Sequence, residues 1–355
     1  MKPTAELHAL GQSLWLDNIT RAMLDDGTLK TYISDLSVTG LTSNPSIFHK
    51  AISGSDAYDD DILSAPGHLD AEAVFARMAL ADLSRAADLF GDTHRNSNRM
   101  DGWVSMEVSP LLADDVAGTV QAAKALYEQG GRENLFIKIP GTAAGIKAIE
   151  ETIHAGIPVN VTLLFSAEQS VAAAEAWMTG IERRLTEGLD PQIHSVLSLF
   201  ISRWDVAVQG KVPESLHNRL GIAMAGDTLK AVNTLKESPR WKRLIEAGAP
   251  EQRLLWASTG TKDPAVSDVL YVEGLALGGT INTIPDQTLL AFADHGRADQ
   301  GMAADGGGSG SVLAEFKAVG IDLPALAQRL QDEGAAAFVS SWRALMQQID
   351  TRRAA

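Results

Sequence analysis

Short apolar runs bounded by turn residues recur from one end of the chain to the other, at 14–18, 36–42, 103–108, 135–139, 157–163, 195–201, 254–258 and 280–284. Between them lie longer stretches in which apolar side chains return every three to four positions, clearest at 71–90 (AEAVFARMALADLSRAADLF) and 166–185. Strand-length runs alternating with amphipathic helices make βαβ units, whose strands pair in parallel. Eight such units predict an α/β fold, a single closed (β/α)8 TIM barrel, with a doubly wound open sheet as the competing topology. Segments 311–319 and 323–346 follow the last run and read as additional, closing helices. The glycine-rich stretch at 305–311 (DGGGSGS) reads as a mobile loop of the same unit, since the helices beyond it are too few to bury a core of their own. The expectation is one barrel domain over 1–355 that includes closing helices at 311–350.

Alternate residues of a strand face opposite sides, so in a barrel each strand divides its residues between the surrounding helices and the interior. Leu14 and Leu16 take the helix side of the first strand and leave Trp15 and Asp17 inward. Val104, Met106 and Val108 do the same in the third, leaving Ser105 and Glu107. Leu135, Ile137 and Ile139 turn out in the fourth, with Phe136 and Lys138 inside. The fifth leaves Asn160 and Thr162 inward, and the sixth Ser198 and Phe200. Asp17, Glu107, Lys138, Asn160, Thr162 and Ser198 all lie near the carboxyl ends of their runs, where this fold places catalysis. Taken singly, each has an ordinary reading: the lysine as a snorkelling edge residue, the aspartate as a helix N-cap. Their convergence at one depth argues for a site, because buried polar groups cost stability unless paired.

Composition narrows the chemistry. The chain has 355 residues, 45% of them hydrophobic, with 30 Lys and Arg against 45 Asp and Glu, a net charge of −15. This is a folded core under an acidic surface, without the basic stripe of a nonspecific nucleic-acid binder. Cysteine is absent, which removes disulfides, thiol nucleophiles and thiolate metal sites. The eight histidines are scattered with none paired at i, i+4, so no metal is expected. The first ten residues lack the continuous apolar stretch of a signal peptide, and no apolar run approaches the length of about 18 residues that suggests a membrane span. A soluble, cytoplasmic protein without nucleic-acid or membrane partners is expected. GTAAGIK at 141–147 has the wrong spacing for a phosphate loop and instead opens a helix with Thr142 as its cap.

The central feature is then a buried lysine with carboxylates nearby. Burial favours the neutral amine, which attacks carbonyls, whereas Asp17 and Glu107 favour the charged ammonium and are also placed to move protons. The two influences oppose each other, and the sequence leaves their balance open. Schiff-base chemistry on a carbonyl substrate, with no cofactor, is the reaction these side chains allow.

Eight segments, taken together and in order, resemble the transaldolase family in its longer bacterial and actinobacterial type. They are WLDN (15–18), TSNPSIF (42–48), SMEV (105–108), FIKIPGT (136–142), NVTLLFS (160–166), SLFISR (198–203), WASTGTKDP (256–264) and TINTIPDQTL (280–289). The resemblance covers essentially the whole chain and implies that Lys138 forms a Schiff base with C2 of a ketose phosphate. It implies that Asp17 takes the C4 hydroxyl proton during carbon–carbon cleavage, and that Glu107 and Thr162 shuttle protons through a water as the imine forms. Asn44, Asn160 and Ser198 would bind hydroxyls of the three-carbon dihydroxyacetone unit, and Arg203 and Ser258 match phosphate-binding positions. Sugar phosphates are the implied partners. A homo-oligomer is allowed, and domains of this type also occur fused to a glucose-6-phosphate isomerase.

Two departures carry information. The shorter type has an Arg soon after the serine, whereas this chain has Thr259, Gly260, Thr261 and Lys262, so Lys262 is the candidate second cation of the phosphate clamp. A group of small aldolases with a similar fold and lysine cleaves fructose 6-phosphate outright, and carries Gln where Glu107 stands and Tyr where Phe200 stands. With Glu107 and Phe200 the chain resembles the transferases, since Phe200 has no hydroxyl to protonate the bound carbanion.

Overall fold

In the computed structural model, which describes residues 2–354, all eight expected strands form. They are β1 Ser13–Leu16, β2 Val38–Leu41, β3 Val104–Glu107, β4 Leu135–Pro140, β5 Val159–Leu164, β6 Ser195–Phe200, β7 Arg253–Ala257 and β8 Ile281–Ile284. All pairings are parallel, in the order β2-β1-β8-β7-β6-β5-β4-β3. Leu41 N donates to Trp103 O at 2.9 Å and Gly102 N to Thr39 O at 2.7 Å, bringing the two ends of the sheet together into a nearly closed (β/α)8 barrel. Gly40 sits at this seam, where a Cβ would come within 2.8 Å of both Trp103 O and Trp15 Nε1. The backbones can approach there because glycine has no side chain.

The inward and outward sets of the strands separate as parity requires. Leu14, Leu16, Met106, Ile137, Val159 and Leu197 pack with the helices. Trp15, Phe136, Val196, Phe200 and Leu255 fill the interior. Strand β5 contains a local departure: Val161 pairs with Leu197 but Leu164 pairs with Leu199, and Leu163 absorbs the extra residue at φ 56°. This bulge hands the outward role from Val161 to Leu164 and turns Leu163 into the inner cluster.

The lower half of the barrel is filled. Trp15 and Trp103 flank Phe136, with ring centroids 6.2 and 4.1 Å away. Beneath them Asp101 accepts from Ser13 Oγ at 2.6 Å and from Trp15 Nε1 at 2.9 Å, and Arg253 donates to the same Ser13 hydroxyl at 2.6 Å. Open space is left at the carboxyl end.

Helices Ala71–Leu89 and Ala167–Thr186 follow the apolar spacing and begin at side-chain caps, Asp70 and Ser166. Thr142 caps its helix as expected, accepting from Gly145 N. Helix begins at Ser309, inside the stretch expected to be loop. The last helix, Leu323–Ala354, is longer than its apolar pattern suggested and crosses the carboxyl end of the barrel. There Gln331 Nε2 donates to Gly141 O at 3.0 Å and Leu163 O at 2.9 Å, and Ser341 Oγ meets Ser46 Oγ at 2.8 Å. Among the described residues no helix is long and apolar enough to cross a membrane.

Candidate active site

A cavity of about 280 Å3 opens at the carboxyl ends of the strands. Asp17 enters it from the end of β1, Lys138 from β4, Thr162 from β5, and Ser198 and Phe200 from β6. Asn44, Arg203, Ser258 and Lys262 come from the segments that follow β2, β6 and β7. Glu107 and Asn160 stand behind this wall, in contact with Lys138 and Ser198 respectively. All the residues singled out in the sequence therefore converge on one place.

Strand register explains the lysine's surroundings. Glu107 pairs directly with Lys138 across β3 and β4, and Lys138 with Asn160 across β4 and β5. Neighbouring strands are about 4.8 Å apart, so three inward side chains in register are forced together. Lys138 Nζ lies 3.4 Å from Glu107 Oε2 and donates to Ser43 O at 3.0 Å, with the lysine only 5% exposed. Burial pushes the Glu107 carboxyl above its usual pKa, against the pull of Lys138. It does the same to Asp17, opposed by Lys138, by the Thr42 hydrogen bond and by Lys262. A carboxylate made more basic by desolvation is a better proton acceptor.

The polar walls leave specific valences free. Ser198 Oγ donates to Asn160 Oδ1 at 2.6 Å, and Asn160 Nδ2 donates to Ser105 Oγ at 3.2 Å, so Asn160 holds the serine hydroxyl with its lone pairs unspent. Asn44 caps helix Pro45–Ser53 through Oδ1, accepting from Ile47 N at 3.0 Å, which leaves its amide NH2 for a ligand. Thr162 Oγ1 is buried without a hydrogen-bond partner, and Glu107 Oε2 has none beyond its approach to Lys138.

Besides Lys138, three basic side chains line the same cavity: Arg203, Lys262 and Lys50. None has a carboxylate within ion-pair distance among the described residues, in a chain of net charge −15. Burial lowers the Arg203 pKa, and its guanidinium carbon sits 5.3 Å from the centre of the Phe200 ring. Unpaired cations gathered in an acidic protein define an anion site. Lys262, the expected second cation, lines the cavity beside Arg203 and Ser258.

Lys50 is an addition that the sequence reading missed, although it lies one helical turn beyond Ser46 and both line the cavity. Thr42, Thr283 and Phe338 were missed as well. Parity could have found Thr283, which shares the inward set of β8 with Ile281. Phe338 comes from the C-terminal helix, and no local signal announces that contact.

A buried lysine between carboxylates, at the carboxyl-end mouth of a parallel barrel with an anion clamp, suits an enzyme acting on phosphorylated carbonyl compounds. The model of the family described as Transaldolase/Fructose-6-phosphate aldolase matches residues 14–349. A protein of Thiobacillus denitrificans named Transaldolase is 41% identical over 358 residues, covering 98% of this chain and 100% of its own. One of Neisseria meningitidis with the same name is 40% identical over 344 residues, covering 96% and 98%. Transaldolase 2 of Nostoc punctiforme is 37% identical over 368 residues, covering 98% and 96%. The chain belongs to the transaldolase/fructose-6-phosphate aldolase family, and it is an enzyme, a transferase of the transaldolase type.

Proposed function

We propose that this single barrel domain, working in the cytoplasm, moves a dihydroxyacetone unit from sedoheptulose 7-phosphate or fructose 6-phosphate to glyceraldehyde 3-phosphate or erythrose 4-phosphate. These are reactions of the non-oxidative pentose phosphate pathway. The observation that carries the reading is the Lys138 amine, 3.4 Å from Glu107 and open to the same cavity as Asp17.

The amine of Lys138 attacks C2 of the ketose phosphate to give a carbinolamine. Glu107 gives a proton to the departing hydroxyl, and water leaves as the imine forms. The free valences of Thr162 Oγ1 and Glu107 Oε2 suit a water that carries this proton. Asp17 then takes the C4 hydroxyl proton, the C3–C4 bond breaks, and the aldose phosphate departs. The electron pair left at C3 is delocalised into the imine. The acceptor aldehyde is attacked by C3, Asp17 returns the proton to its oxygen, and water releases the new ketose phosphate from Lys138. Asn44 and Ser198, the latter held by Asn160, bind hydroxyls of the three-carbon unit, while Arg203, Ser258 and Lys262 hold phosphate.

Cleavage of fructose 6-phosphate with release of free dihydroxyacetone is the second reading, and Phe200 weighs against it because it offers no proton to C3. The discriminating experiment supplies fructose 6-phosphate with and without erythrose 4-phosphate. Sedoheptulose 7-phosphate and glyceraldehyde 3-phosphate should form with the acceptor, and little dihydroxyacetone without it. Release of dihydroxyacetone at the same rate in both would favour the aldolase.

A further inference from the structure

Two hydroxyls stand behind Asp17 on neighbouring strands. Thr42 Oγ1 donates to Asp17 Oδ1 at 2.8 Å, and the same oxygen lies 2.6 Å from Thr283 Oγ1. Thr42 and Thr283 are 2% and 3% exposed, so neither turns to bulk water. The placement follows from the sheet order, because β1, which leads into Asp17, runs between β2, which leads into Thr42, and β8, which carries Thr283.

A hydroxyl has one proton. While Asp17 is ionised it accepts the proton of Thr42, so Thr42 can only accept from Thr283. The chain therefore runs one way, from Thr283 to Thr42 to Asp17, and uses one oxygen of the carboxylate. The other is left for substrate. We propose that Thr283 is a positioning residue for the transfer reaction: through Thr42 it fixes the direction of a hydroxyl chain that holds the Asp17 carboxylate aimed into the cavity.

The proposal rests on the reading of Asp17 as the base for carbon–carbon cleavage. A polarised chain of hydrogen bonds stabilises the anion at its end more than a single donor does. The charged groups facing Asp17 are Lys138 from β4 and Lys262 from the segment after β7, with Glu107 from β3 acting against it across the lysine. Lys50 and Arg203 line the same cavity. None of these touches Thr283 by hydrogen bond, so replacing its hydroxyl alters the chain and leaves the other charges in place.

The test is the pH dependence of kcat for transfer from fructose 6-phosphate to erythrose 4-phosphate in Thr283→Val, Thr42→Val and the double variant. Loss of a donor to the ionised form makes Asp17 harder to ionise, so the acid limb should move to higher pH. Thr42→Val should lower kcat about tenfold and Thr283→Val about threefold, with KM little changed. The double variant should match Thr42→Val, because Thr283 acts only through Thr42. Thr283→Ser should restore the limb to its wild-type position, which separates loss of the hydroxyl from loss of packing, and melting curves report folding for every variant.

An unmoved limb in a folded Thr283→Val, or additive losses in the double variant, would overturn the proposal. Asp17→Asn distinguishes the two levels. If it keeps transfer activity, the assignment of the base has failed; if it is inactive while Thr283→Val behaves as wild type, only the hydroxyl chain has failed.

Discussion

Glu107 and Lys138 are direct partners in the register of β3 and β4, and their side chains meet 3.4 Å apart inside the barrel. The contact sets a carboxyl that burial has made more basic against the amine whose imine it would help to form. Removing the carboxylate while keeping its shape, as in Glu107→Gln, should slow imine formation by about a hundredfold and leave substrate affinity nearly intact. Rapid-mixing measurement of imine formation would check this. An unchanged rate would place the proton transfer elsewhere.

Arg203 touches the remote end of the substrate in this account. Arg203→Ala should raise KM for fructose 6-phosphate by about tenfold to a hundredfold, with a smaller effect on an unphosphorylated dihydroxyacetone donor. Lys262→Ala and Lys50→Ala should give smaller losses that grow fainter at high salt, since a lysine holds phosphate as a point charge. Equal losses on both classes of donor would assign Arg203 a structural role.

Phe200 lies between the Phe165 ring, 5.4 Å away, and the Arg203 guanidinium, and it lines the cavity. In Phe200→Tyr the added hydroxyl should protonate the bound carbanion, so free dihydroxyacetone should appear from fructose 6-phosphate with no acceptor present. A less stable variant with no gain in release would show that the ring only packs.

Asp17 predicts a trade between activity and stability. Its pKa is raised in the folded protein, so the fold binds that proton more tightly than the unfolded chain does. The resulting stability is full below the unfolded carboxyl value of about 3.9 and is lost as pH rises through the folded value. Asp17→Asn should therefore melt higher than wild type at neutral pH and no higher near pH 4, while transfer falls about a thousandfold. Melting curves at the two pH values, beside an activity assay, test both halves. A variant that melts lower at neutral pH would show that the charge on Asp17 is stabilising.

Much of this site was legible in the sequence because period-two strands leave little freedom. Once Ile137 and Ile139 face the helices, Lys138 must face the interior, and the same constraint fixes Glu107 and Asn160 beside it. The bulge at Leu163 was not legible, since it comes from tertiary pairing with β6. Nor was the path of the last helix, whose Gln331, Phe338 and Ser341 reach segments far away in the chain. Lys50 escaped for a related reason, being an exposed helical lysine whose role depends on which loops gather around it.

The central claim is that Lys138 carries the substrate, and borohydride reduction tests it directly. Incubating the protein with fructose 6-phosphate and borohydride, then mapping the modified peptide by mass spectrometry, should show the reduced dihydroxyacetone adduct on Lys138 together with loss of activity. Lys138→Met, which keeps most of the buried stem, should fold, take up no adduct and transfer nothing. An adduct on another lysine, or transfer activity surviving in Lys138→Met, would contradict the account.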